Sequence, residues 1–319
     1  MQKLKLFTLC VLASMFVSAQ VLISEEPAVL QTATGDIFGT LRVPSADGGA
    51  VPVVLIIAGS GPTDRNGNQP QAPNNSLKML AESLYHNGIA SLAFDKRGIA
   101  ESAGSGLSEV DMRFEHFIDD VRGWIDLLAK DSRFSEIIVA GHSEGALIGK
   151  VASQNNADVS RFISIAGAGA TSADILREQL SAQLAGQQAI KDMVFSFIDQ
   201  LENGELIENV PPMLYMLFRP SVQPYMISWM RYNPQTEIAK LEIPILIVGG
   251  TTDIQVSVAQ AELLASAQPN AQKVIIENMN HVLKTIEATD IMSQMATYTN
   301  PNLPINEELI KRIVAFIRK

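Results

Sequence analysis

Along most of the chain, short apolar runs alternate with longer segments whose apolar residues recur every three to four positions. The first pattern is that of a strand covered on both faces; the second is that of a helix with one buried stripe. Residues 51–57, 90–94, 137–140 and 162–166 are runs of the first kind. Residues 76–85, halted near Gly88, and 114–129 are of the second, and Ala146, Leu147 and Ile148 begin another helix. Upstream, residues 29–43 alternate around Gly35-Asp36, which predicts an antiparallel hairpin. After Thr171 the alternation stops. It resumes with strands over 243–248 and 273–277 and helices over 256–267 and 306–318. This order predicts an α/β fold: a mostly parallel central sheet, helices on both faces, and a ligand site at the carboxyl ends of the strands.

The interruption, 171–240, keeps a helical spacing of its own: Ile190, Val194, Phe197 and Leu201, then Met213, Met216 and Leu217, then Met226, Trp229 and Met230. It predicts an inserted helical lid between two parts of one main domain, 20–170 and 241–319. Most of these side chains should hold the insertion to that domain. Met-rich surfaces adapt to varied apolar ligands, so some are expected to face the site, Met216 and Trp229 first among them.

Composition narrows the class. The 319 residues are 47% hydrophobic and 18% charged, which is ample for a globular core. Lys3 and Lys5 precede an apolar stretch, 6–17, that ends in the small residues Ser18 and Ala19. That is the pattern of a cleavable signal peptide over 1–19, and it is shorter than the ~20 residues of a spanning helix. A secreted or periplasmic protein with no stable membrane insertion after cleavage is expected. Cys10 is the single cysteine and would leave with the signal, taking disulfide and thiol chemistry with it. A net charge of −10 without a Lys/Arg cluster argues against nucleic acid or an anionic membrane as partner. The four histidines form no Cys/His cluster, so no metal site is expected.

The chemistry begins at "IIVAGHSEGALIG". Gly141-His142-Ser143-Glu144-Gly145 matches G-x-S-x-G, a strand-to-helix turn that holds a serine exposed, with glycines where side chains would not fit. A serine hydroxyl needs a base to take its proton and a third group to fix that base. His142 adjoins the serine and is expected to point away; His86 ends a helix on the far side of the sheet; His116 lies on the flank. His281, in "IIENMNHVLK", follows the last strand and is the histidine placed to reach Ser143. Asp253, in "GGTTDIQV", lies in the loop after the 243–248 strand and is the expected acid. Its rival, Glu277, stands only four residues before His281. The order Ser143, Asp253, His281 is that of hydrolases with a serine elbow. Two N–H donors should face the developing oxyanion: that of Glu144, directly after the nucleophile, and that of Ser60 in "GSGPTDRNGN" after an earlier strand.

With those residues in hand, the chain resembles the α/β-hydrolase superfamily, and within it bacterial esterases with a GSGP-DR-G oxyanion loop. The matching motifs are "GSGPTDRNGN", "DKRG" (Asp95 to Gly98), "GHSEG", "GGTTDIQV" and "NHVLK" (Asn280 to Lys284). Ala100 departs from the pattern, standing where a second glycine of an R-G-x-G-x-S run is common. The resemblance implies an α/β-hydrolase fold and a carboxylesterase that acts on a small-molecule acyl ester without a cofactor. A thioesterase, amidase or peptidase on the same triad, or a catalytically silent binding protein on this fold, are the alternatives. "DKRG" is expected to pack behind the oxyanion loop, Asp64 and Arg65 to brace their own loop, and Lys284 to be a surface charge.

Overall fold

In the computed structural model, which describes residues 23–45 and 49–319, the apolar runs are strands of one sheet. The expected signal peptide lies outside the described residues. The strands are β1 (Glu25–Thr32), β2 (Gly35–Arg42), β3 (Val51–Ile57), β4 (Ala90–Phe94), β5 (Phe134–His142), β6 (Val159–Ile165), β7 (Ile245–Gly250) and β8 (Gln272–Ile276). Across the sheet the order is β1-β2-β4-β3-β5-β6-β7-β8. The hairpin β1-β2 and the pair β2-β4 are antiparallel, and all the others are parallel.

Helix α1 (Ser76–His86) follows β3, α2 (Phe114–Ala129) follows β4, and α3 (Glu144–Ala152) follows β5. Between β6 and β7 the chain makes α4 (Ser172–Gln183), α5 (Gln188–Glu202), α6 (Tyr215–Phe218), α7 (Gln223–Met230) and α8 (Pro234–Ala239). After β7 comes α9 (Val258–Ala267), and after β8 come α10 (Ile291–Tyr298) and α11 (Glu307–Ile317). Successive strand residues point to opposite faces. Val53, Leu55 and Ile57 therefore join the core under α2, α3 and α9, while Val54 and Ile56 join the core under α1 and α11. Both faces being covered is why β3 reads as an unbroken apolar run. Each such side chain contributes about 1.5–3 kcal/mol on burial. Trp124 of α2, fully buried, lies 5.6 Å from the Phe94 ring and closes this core over β4.

The helices between β6 and β7 have a core of their own, built from Val194, Phe197, Ile198, Leu201, Phe218 and Met226. Helix α7 seats them on the main body. Trp229 stacks on Phe114 at 6.2 Å, and Ser228 Oγ accepts the Phe114 N–H at 2.8 Å. The chain also makes one helix that the sequence reading lacks. Ile291, Met295 and Tyr298 of α10 keep helical spacing, and Asp290 caps it by accepting the Ser293 N–H at 3.0 Å.

Candidate active site

Ser143 stands between the end of β5 and the start of α3, with φ 55° and ψ −121°. A left-handed φ on a residue with a Cβ is strained, and neighbouring bonds hold it there. The Ser143 N–H donates to Ile165 O at 2.9 Å, and Ser143 O accepts from the Ala146 N–H at 3.0 Å. The flanking glycines permit the turn. A Cβ at Gly141 would lie 2.1 Å from Gly145 O, and one at Gly145 would lie 2.5 Å from Ile57 O, so the elbow packs backbone on backbone.

The loops after β7 and β8 bring Asp253 and His281 together. His281 Nδ1 donates to Asp253 Oδ2 at 2.8 Å, and both side chains are buried. The other carboxylate oxygen, Oδ1, accepts the N–H groups of Gln255 and Val256, each at 2.8 Å. Burial pushes the Asp253 carboxyl up, but His281 and these donors outweigh it and hold the group below the usual carboxylate value. Glu277 is exposed at the end of β8 and takes no part in this contact. The His281 loop is tied down by its neighbours. Asn280 Nδ2 donates to Thr297 Oγ1 at 2.7 Å and to Gln294 Oε1 at 3.1 Å, and its Oδ1 accepts the Lys284 N–H at 2.9 Å. With Nδ1 engaged, Nε2 is the imidazole nitrogen left for a proton from Ser143. Among the described residues no hydrogen bond joins Ser143 Oγ to that nitrogen. Such contacts commonly tighten only around a substrate.

Gly59 and Ser60 lie directly against the elbow: a Cβ at Gly59 would be 3.1 Å from Ser143 Cβ. The Ser60 N–H and the Glu144 N–H have no acceptor among the described residues, the second because it opens α3, where no preceding turn supplies a carbonyl. Thr63 Oγ1 and Gln69 Nε2 donate to Ser60 O at 2.7 and 3.3 Å and brace the loop from its far side. Asp64 Oδ1 accepts the N–H groups of Asn66 and Asn68, and Arg65 bridges Asp95 and Glu101, so both residues hold their own loop.

A cavity of about 340 Å³ opens over Ser143. Ser60, Thr63, Gln69, Asn74, Gln255 and Thr299 line it with hydroxyls and amides, and Val282, Met295 and Tyr298 supply most of its apolar wall. Met216 and Trp229 do not reach it. Met216 is 91% exposed, and Trp229 is spent on Phe114 and Tyr225. The expectation that these two face the pocket is therefore corrected: α7 turns Trp229 toward Phe114 of α2, and α6 leaves Met216 in solvent. The wall comes instead from α10 and from the loop after β3.

Comparison with known proteins agrees with this fold. Residues 74–285 match the family model described as serine aminopeptidase, S33. The chain belongs to that α/β-hydrolase family. Three solved structures are similar in fold. Est1E from Butyrivibrio proteoclasticus has a TM-score of 0.59 at 18% identity, covering 92% of this chain and 99% of its own. The Pyrococcus furiosus esterase Pf2001 gives 0.60 at 16%, covering 93% and 90%. A thermophilic esterase from Thermogutta terrifontis gives 0.56 at 16%, covering 92% and 98%. No curated protein matches the sequence.

Several residues of this hydrolase's site escape a reading of the sequence. His142, expected to point away from Ser143, lines the same cavity. Its Nε2 donates to the His281 carbonyl at 2.8 Å, and the two rings lie 4.9 Å apart. Burial, with His281 beside it, pulls the His142 imidazole down to about 4, so it is neutral at ordinary pH. Lys284 is not a surface charge. It is fully buried, its ammonium donating to Leu303 O, and burial lowers it to about 8. Tyr298 reaches the cavity from α10 and accepts from Gln255 Nε2 at 2.8 Å. The spacing of 291, 295 and 298 was the one available signal for it.

Proposed function

We propose that this hydrolase cleaves carboxylic esters of small, neutral molecules through an acyl-enzyme. The observation that carries the reading is the buried His281–Asp253 pair at 2.8 Å on the wall of the cavity that Ser143 lines. Ser143 Oγ attacks the ester carbonyl while His281 Nε2 takes its proton, and Asp253 keeps the imidazole oriented and stabilises its cation. The N–H groups of Ser60 and Glu144 receive the charge on the carbonyl oxygen. Collapse expels the alcohol, which takes the proton back from His281. Water, deprotonated by the same imidazole, then attacks the acyl carbon, and the acid leaves as Ser143 recovers its proton. No cofactor enters these steps.

The cavity lining supports an ester over the peptide bond that the family description suggests. Its titratable side chains are His142, His281 and Tyr298, with no Asp or Glu among the lining residues to hold an α-ammonium group. No Lys or Arg is there to hold an anionic acyl group either. Hydroxyls and amides suit instead a short acyl chain on a neutral polar alcohol. Esterases recur among the structures of similar fold, one of them, Est1E, solved with ferulic acid bound. The test is a panel of acyl esters of graded length and alcohol polarity, run beside a matched amide, a thioester and an aminoacyl anilide. Faster turnover of the anilide than of every ester would make the protein a peptidase. A chain that neither turns over an ester nor labels with a fluorophosphonate at Ser143 is a binding protein. Export through a cleaved signal peptide belongs to the same reading, and the mass of the exported chain tests it.

A further inference from the structure

Behind the oxyanion loop lies a buried ammonium that the triad does not use. Lys96, 3% exposed, follows β4 and extends its Nζ to the carbonyl oxygen of Gly59 and, at 3.4 Å, to Glu144 Oε2. The same Nζ sits 5.3 Å from the centre of the Phe117 ring. Glu144 is buried as well, and its other oxygen, Oε1, accepts the Tyr225 hydroxyl at 2.6 Å. Burial, and then Glu144 itself, raises Tyr225 well above the usual phenol value, so the hydroxyl stays a donor. The chain from α7 to the oxyanion loop thus runs Tyr225, Glu144, Lys96, Gly59.

Peptide geometry gives that contact a consequence. Gly59 C=O and Ser60 N–H are the two ends of one peptide unit, and the described residues contain no cis peptide. In a planar trans peptide the C=O and N–H point in opposite directions. A cation that holds the oxygen on the inner side therefore presents the Ser60 N–H on the side of Ser143, where that N–H has no acceptor among the described residues. Gly59, with no Cβ, leaves one side of this unit free to rotate, and without such a hold the plane could turn over. The ammonium also polarises the peptide it binds, strengthening the N–H as a donor. Glu144 carries the second oxyanion N–H on its own backbone, so one buried ion pair ties both donors together.

We propose that Lys96 is the positioning residue of the oxyanion hole, locking the Gly59–Ser60 peptide so that its N–H meets the substrate oxyanion, with Glu144 and Tyr225 holding the lysine in place. The proposal rests on the serine-hydrolase reading above.

Lys96→Met and Lys96→Arg, with Tyr225→Phe, test it through kcat, KM and the inhibition constant of phenylboronic acid. That acid adds Ser143 Oγ to boron, with the serine proton passing to His281, and the tetrahedral anion places an oxygen in the oxyanion hole. Lys96→Met should lower kcat about 10- to 100-fold with KM within about twofold, below the loss typical of deleting an oxyanion donor outright. Boronate affinity should fall by a similar factor, and Lys96→Arg should restore most of both. Tyr225→Phe frees the carboxylate to draw the ammonium off Gly59, and should cost severalfold in the same two quantities. If Lys96→Met does not fold, Tyr225→Phe, which keeps both charges, carries the test. A folded Lys96→Met with wild-type kcat and boronate affinity overturns the proposal, as does an unaffected Tyr225→Phe where Lys96→Met is lost to misfolding. Wild-type protein that turns over no ester and binds no boronate removes the hydrolase reading instead.

Discussion

The strain at Ser143 can be measured by comparing two inactive variants. At φ 55° and ψ −121° the clash is between the Cβ and its own backbone, so Ser143→Ala keeps it and Ser143→Gly removes it. A residue held in such a region costs about 1–3 kcal/mol. Glycine gives back about 0.4–1 kcal/mol, because it loosens the unfolded chain. The glycine variant should therefore be the more stable of the two by about 0.5–2 kcal/mol. For 319 residues, an unfolding entropy of about 2 cal/mol/K each amounts to roughly 0.6–0.7 kcal/mol/K. The expected gap in Tm is about 1–3 °C, with Ser143→Gly higher. Calorimetry on both proteins in one buffer measures it, and neither variant retains a nucleophile that could complicate the comparison. A Tm for Ser143→Ala equal to or above that of Ser143→Gly would refute the argument, because the elbow backbone would then hold no strain for the Cβ to cause.

Ser143→Ala should fold normally and lose on the order of 10⁶ in kcat, whereas Asp253→Asn should lose about 10⁴; ester assays would show the error if Asp253→Asn matched wild type. Because His142 titrates near 4 when folded and near 6.5 when unfolded, the unfolded chain binds the extra proton between those values. Stability should fall as pH drops from about 6.5 to 4, by roughly 3 kcal/mol from this group. Urea midpoints of His142→Gln at pH 4.5 and pH 7 check it, and a pH dependence as steep as wild type removes His142 as the source. Met295→Ala, on the cavity wall, should change the ratio of kcat/KM between short and long acyl esters within the ~1–3 kcal/mol that one apolar contact supplies. Met216→Ala, exposed and remote from the cavity, should leave that ratio alone; the reverse pattern would put the insertion back over the pocket.

Local pattern was enough for the elements and their order. Residues 51–57 and 90–94 had to be strands buried on both faces, because no other short apolar run suits a sheet covered by helices on both sides. The glycines of "GHSEG" likewise announce a backbone crossing, since a Cβ at Gly141 or Gly145 would collide with neighbouring carbonyls. Candidates at strand ends could be named for the same reason: the carboxyl end of a strand is a property of chain order. Which way a side chain turns is another matter. The helical spacings of Met213, Met216 and Leu217 and of Met226, Trp229 and Met230 say that each face is apolar but not what it meets; packing gave Trp229 to Phe114 and left Met216 in solvent. His142 faces the cavity because the His281 carbonyl, more than a hundred residues away, accepts its Nε2–H. Lys284 reads as a surface charge in sequence and is buried on a backbone carbonyl of another loop, and the Gly59 carbonyl that Lys96 meets behind the oxyanion loop is likewise invisible in sequence. Periodicity is a short-range property of the chain. A hydrogen-bond partner or a cavity wall is chosen only when segments far apart in sequence close on one another, so the elements were readable in advance and their partners were not.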